Sequence, residues 1–233
     1  MSQASPDFGP THGHRQAKIV FVHGYLGGGS PIGGSTYWGG ANSSFVRGAK
    51  GFFEANLPPF FTDVEYSLVS IHAKRECQGY QYAHQHYADL VLDMSPVDGF
   101  HFVTHSMGGG FAEGMIRFLK DKGWRVETIV YFNGWRPARL GYGLRETTGI
   151  ISPTRIIDAT IVNDPVQFWS LSLTSDRDMI ANSDIRIRRK SPKKIPFRHR
   201  DFIDDGIFWQ IYLPTEMGLA AGAAWQEIRQ KLI

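Results

Sequence analysis

An α/β architecture, with a mostly parallel central sheet and helices on both faces, is predicted by three features of the 233-residue chain. Runs rich in β-branched and aromatic residues, at 18–23, 100–103, 126–132 and 156–162, have the character of strands buried on both sides. Stretches with helical spacing follow several of them. Strand and helix then alternate along the chain, an order that builds parallel pairs through right-handed crossovers.

The length suits a single domain over 1–233. A chain of this size buries roughly 70% of its unfolded surface, so neither a metal nor a disulfide is required to hold it together. The one cysteine, Cys77, cannot form an internal bridge, which fits a reducing compartment or an exported protein that does without disulfides. No apolar leader or bilayer-spanning run is visible, and a cytoplasmic location is expected. A net charge of +3 is too small to argue for nucleic acid, and none is expected as a partner.

Residues 1–16 are polar and rich in Pro, Gly and His, and read as a loose tail. The strand at 18–23 runs directly into Gly24-Tyr25-Leu26-Gly27-Gly28-Gly29. The piece at 31–51 carries Tyr37, Trp38 and Phe45, which are expected to frame a pocket, and a short helix is expected at 44–55. Residues 63–71 alternate as a strand. A helix is legible over 78–94, with Ala83, Tyr87, Leu90, Val91 and Met94 on one face. The strand at 100–103 stops abruptly at Thr104-His105-Ser106-Met107-Gly108, and another helix begins at once. Phe111, Met115, Phe118 and Leu119 form its inner stripe, Lys120 and Lys122 lie at the negative end of its dipole, and Gly123 terminates it. Strands at 126–132, 156–162 and 185–188 follow. A closing helix is expected over 216–232, with Leu219, Ala220, Ala223, Ala224 and Ile228 facing inward.

A strand that becomes a helix over one serine is a sharp turn that strains the serine. Its hydroxyl is lifted clear of the backbone, and the next N–H is aimed at the same point. Chemistry at Ser106 is therefore expected. At these residues the chain resembles the α/β-hydrolase superfamily, whose G-x-S-x-G signature is read here as Thr104-His105-Ser106-Met107-Gly108. Thr104 departs from the pattern. Strand and helix backbones nearly touch at that position, so a β-branched residue implies a slightly opened turn. The resemblance runs from residue 18 into the closing helix and rests on the joint placement of His23-Gly24, the serine turn and His199.

The resemblance implies an oxyanion hole built from the backbone N–H groups of Tyr25, just after His23-Gly24, and of Met107. It also implies the chain order serine, acid, histidine, and the sole histidine after Ser106 is His199. Asp164 directly follows the strand at 156–162 and is stiffened by Pro165, which suits the acid that orients the imidazole. Asp158 within that strand, and Asp176 and Asp178 beyond it, remain rivals. Asp201 and Asp204 follow the histidine, against the order. Residues 134–152 fall where the superfamily inserts a short cap and, with Phe168 and Trp169, either wall an acyl slot or belong to the core.

The activity so implied is hydrolysis of carboxylic esters, of lipase or esterase type, on a small-molecule or lipid ester. The same triad would serve an amidase or thioesterase. A non-catalytic ligand-binding or interaction module of the same fold is the competing class. The basic run from Arg186 to Arg200 either draws anionic head groups, giving peripheral membrane contact, or is a solvated loop. HExxH is absent, and His84 and His86 stand two apart on the expected helix, facing different ways. The glycine runs match neither a P-loop nor a dinucleotide fingerprint, so no cofactor and no metal are expected. The oligomeric state is not legible.

Overall fold

The computed structural model describes residues 15–24, 33–64, 72–134, 140–141, 144, 154–162, 180, 182–190, 200–204 and 206–220. Among these, strands β1 (Ala17–Val22), β2 (Phe60–Phe61), β3 (Gly99–His105), β4 (Arg125–Phe132), β5 (Arg155–Ile161) and β6 (Ile185–Arg189) are present. They form one sheet in the order β2-β1-β3-β4-β5-β6, with every pairing parallel. The helical elements are a 3-10 turn (Gly34–Trp38), α1 (Ser44–Phe53), α2 (His72–Gln85), α3 (Tyr87–Leu90), α4 (Gly108–Asp121) and α5 (Asp201–Asp204). A π-helical turn, Phe208–Tyr212, then runs into α6 (Leu213–Glu216).

Successive strand side chains point to opposite faces, and both faces are covered. Ile19, Phe21, Val103, Val130, Phe132, Ile157 and Ile187 pack on one side with α1, Phe208, Trp209 and Leu213. Val20, Val22, Phe100, Phe102, Ile129, Tyr131 and Ile156 pack on the other with α4, Ala83 and Leu90. The β3–β4 register shifts between Phe100 and His101, so that Val126 and Ile129, three apart in sequence, still face the same side. Helix α1 is capped by Ser43, whose hydroxyl accepts from the Val46 N–H at 3.2 Å. Helix α4 ends as expected, with Gly123 left-handed at φ +84° and its N–H on Lys120 O at 2.9 Å.

Helices α2 and α4 touch backbone to backbone. A Cβ on Gly79 would stand 1.8 Å from Phe111 O, and one on Gly114 would stand 1.8 Å from Glu76 O. Glycine is what allows these helices to cross there.

Several expectations are corrected. Among the described residues the ladder on that side of β1 is Phe60–Phe61, before the strand expected at 63–71, most of which lies outside them. Thr62 donates its N–H (3.0 Å) and hydroxyl (3.3 Å) to Phe21 O, and the ladder stops at that residue. The helix expected over 78–94 begins at His72 and is broken at His86, whose ring lies 4.2 Å from that of Tyr82. Its first turns are too polar to show an apolar stripe. The closing helix does not start at Glu216: α6 ends there, Gly218 turns away at φ +72°, and residues 221–233 lie outside the described set. Tyr37, Trp38 and Phe45, expected at a pocket rim, are core side chains, each 1% exposed. Most of 1–16 and of 134–152 lies outside the described residues. Among those described, no helix is long and apolar enough to cross a membrane.

His101 ties this core to pH. Its ring stacks on Phe53 with centroids 4.2 Å apart, and Nδ1 has no hydrogen-bond partner. Burial first, then the Arg15 and Arg155 cations, push its pKa from 6.5 down to about 3, although Glu127 Oε2 lies 3.8 Å from Nε2. Because the folded chain holds this imidazole neutral, its contribution to stability is complete above pH 6.5 and is lost as pH falls towards 3. Each pH unit inside that window is worth at most about 1.4 kcal/mol. Urea melts at pH 7 and pH 4.5 should therefore show the parent losing on the order of 2 kcal/mol more than His101→Phe. Equal losses would clear His101 of the effect.

Candidate functional site

Between the end of β3 at His105 and the start of α4 at Gly108 stand only Ser106 and Met107. Ser106 has φ +52°, the left-handed region that side chains rarely adopt. Neighbours hold it there: its N–H donates to Phe132 O on β4 at 2.9 Å, and its carbonyl accepts from Gly109 N–H at 3.3 Å. The strained strand-to-helix turn expected from the motif is thus present. The opening expected at Thr104 is not seen in the ladder, which stays in register from Thr104 to both Val22 and Tyr131. The threonine fits because its hydroxyl turns aside to donate to Val130 O at 3.1 Å.

The chain leaving β1 runs directly against this turn. A Cβ on Gly24 would lie 2.8 Å from Ser106 Cβ and 3.0 Å from His105 O, and one on Gly108 would lie 2.3 Å from His23 O. Both positions need glycine because backbone meets backbone there. His23 fixes the exit. Its Nε2 accepts the Val64 N–H at 3.1 Å, so the ring proton resides on Nδ1, which donates to Gly24 O at 2.8 Å. Burial lowers the His23 pKa, against the opposing pull of the Gly24 carbonyl and Asp63. The ring is therefore neutral at neutral pH, with one tautomer selected by its partners.

Tyr37 joins the site and Glu113 lies further along α4, neither singled out by the sequence for these roles. The hydroxyl of Tyr37 is hydrogen-bonded to Nδ1 of His105, the residue before Ser106. Glu113, on α4, receives Tyr131 OH and Gly141 N–H, each at 2.6 Å, on one carboxylate oxygen, and its other oxygen lies 3.3 Å from His72 Nε2. Burial, then Glu113, raises the Tyr131 phenol pKa well above its ordinary value. A polar residue two positions along from the Phe111 stripe was the only sign of Glu113 in the sequence.

Ser106 and Met107 are the parts of the expected constellation that the structure describes. Tyr25, Asp164 and His199 lie outside the described residues, as do Asp176, Asp178, Phe168 and Trp169. The rival Asp158 is buried in β5, where its carboxylate accepts from the Thr160 hydroxyl at 2.9 Å and the Ile180 N–H at 3.4 Å. Burial raises its pKa, against those bonds and the Arg188 and Arg186 cations. Among the described residues no group of three or more His, Cys, Asp or Glu side chains gathers to hold a metal ion.

No family model matches the chain. No curated protein matches it either. Solved structures do. A Xanthomonas campestris α/β serine hydrolase without a lid is 15% identical, with a TM-score of 0.43, covering 88% of this chain and 84% of the other. Carboxyl esterase 2 of the mycorrhizal fungus Tuber melanosporum is 12% identical, with a TM-score of 0.45, covering 91% of this chain and 77% of the other. A Pyrobaculum calidifontis esterase is 14% identical, with a TM-score of 0.42, covering 84% of this chain and 74% of the other. Likeness of this degree does not bear on what this chain acts upon.

Proposed function

We propose, from an all-parallel six-stranded sheet with a strained serine at the end of β3, a serine hydrolase of the α/β-hydrolase superfamily that cleaves carboxylic esters, of esterase or lipase type. Ser106 Oγ attacks the ester carbonyl while His199 takes its proton, and Asp164 orients His199 and steadies its charge. The oxygen, anionic in the tetrahedral intermediate, is held by the N–H groups of Tyr25 and Met107. Collapse breaks the bond to the alcohol, which leaves with the proton from His199. Water, deprotonated by the same imidazole, then attacks the acyl-serine and frees the acid.

The observation that carries this reading is the left-handed Ser106 packed against Gly24. With the Ser106 N–H taken by Phe132 O, an oxyanion at the turn would draw on the next N–H, that of Met107. That group opens the 14-residue helix α4, whose positive end favours an anion. Asp164 is preferred to Asp158 because the Asp158 carboxylate is already committed to Thr160 and Ile180.

A fluorophosphonate probe tests the proposal whatever ester the protein cleaves, because it reacts with the activated serine itself. Covalent labelling is expected on the peptide containing Ser106, and His199→Ala should abolish it. A folded parent chain that takes no label would favour the non-catalytic binding module instead.

A further inference from the structure

Contacts from three parts of the chain converge on Tyr37, which lies in the 3-10 turn Gly34–Trp38. Its hydroxyl is bonded to Nδ1 of His105, next to Ser106. Its ring face carries the Arg200 guanidinium, with the guanidinium carbon 4.5 Å from the centroid. Its carbonyl oxygen accepts from Arg200 Nη2. The same ring lies 5.3 Å from that of His23, the residue that fixes the exit of β1. Tyr37 and Arg200 are 163 residues apart in sequence, and Tyr37 and His105 are 68 apart, so these bonds join three distant parts of the chain.

A guanidinium that stacks on a ring and also donates to that residue's carbonyl is fixed in orientation as well as in distance. We infer that Tyr37 and Arg200 are positioning residues forming a strut that braces the turn at Ser106. One end is the bond from Tyr37 to His105, and the other is the stacked, hydrogen-bonded Arg200. This inference rests on the serine-hydrolase reading above. Acting through His105 and not on the substrate, each is expected to change the rate at which a bound ester is attacked and not how well it binds. A displacement of about 1 Å between nucleophile and base can cost on the order of 100-fold in rate.

The experiment measures fluorophosphonate labelling of Ser106 at several probe concentrations, separating the maximal rate (kinact) from the half-saturating concentration (KI). Tyr37→Phe keeps the ring and the carbonyl and removes the hydroxyl bonded to His105. Arg200→Met removes the stacked cation and its hydrogen bond, and Arg200→Lys keeps the charge without the planar fork. Expected are a fall in kinact of about 10-fold for Tyr37→Phe and about 10- to 100-fold for Arg200→Met, each with KI within about 2-fold of the parent. Arg200→Lys should recover only part of the loss. The Tyr37→Phe/Arg200→Met double variant should fall short of the product of the single losses, since both break one strut.

Thermal melts identify the folded variants, and Tyr37→Phe and Arg200→Lys, the least intrusive, carry the test if Arg200→Met does not fold. Parental kinact in the folded variants, or a loss confined to KI, overturns the strut. If His199→Ala and Ser106→Ala abolish labelling while the strut variants react normally, only this inference fails. If His199→Ala labels at the parental rate, the catalytic reading itself has failed.

Discussion

Ester hydrolysis by Ser106→Ala falls by on the order of 10⁴-fold or more, measured on p-nitrophenyl esters of increasing chain length. The substitution removes one oxygen atom from a residue whose backbone is held by Phe132 O and Gly109 N–H, so the fold has no reason to change. Without that oxygen there is no nucleophile and no proton for an imidazole to take, and the residual rate reflects oxyanion stabilisation and binding alone. A companion variant reports on the strain. Ser106→Gly should be equally inactive yet about 1 kcal/mol more stable than Ser106→Ala, because glycine accepts φ +52° without steric penalty. Hydrolysis by Ser106→Ala at the parental rate would end the assignment.

Gly114→Ala is expected to cost about 3 kcal/mol or more and to lower Tm by on the order of 10 °C. Alanine is intrinsically the better helix former by about 1 kcal/mol, so propensity alone would predict a gain. The new methyl would have to stand 1.8 Å from Glu76 O and 2.7 Å from Tyr80 N, both backbone atoms of α2 that cannot move aside singly. The helices must separate, and α4 is the helix that carries the serine turn at its start. Gly123→Ala is the control. It meets no atom within 4 Å and bears only the cost of its φ of +84°, about 1 kcal/mol. A Gly114→Ala chain that melts with the parent would show that α2 and α4 do not meet in this way.

Much of the sheet was legible because a strand covered on both faces needs a nearly unbroken apolar run, and residues 18–23, 100–103 and 156–162 have one. The serine turn was legible for a steric reason: its neighbours must be small, and Gly24 and Gly108 mark where chains nearly collide. The start of helix α2 was misjudged because the buried positions that precede Ala83 at the same spacing are Arg75 and Gly79, a cation and a residue without a side chain. It docks through glycine and not through an oily stripe. The two-residue β2 is too short to show a period, and Gly218, expected inside the closing helix, instead turns the chain at φ +72° just after α6 ends at Glu216. The aromatic character of Tyr37 was plain, but nothing local marks the partner of its hydroxyl, which lies 68 residues away.

The two borders of the sheet have a consequence for how this protein behaves in a crowd. Among the described residues one border is β2, which offers a passing strand two residues to pair with. The other is β6, where Arg186, Arg188 and Arg189 fall within five residues and Arg189 is drawn inward by Glu216 at 3.8 Å and the Tyr212 ring at 5.5 Å. A second molecule approaching edge-on meets a ladder too brief to grip at one end and a row of cations at the other. Both arrangements discourage open-ended stacking into fibrils.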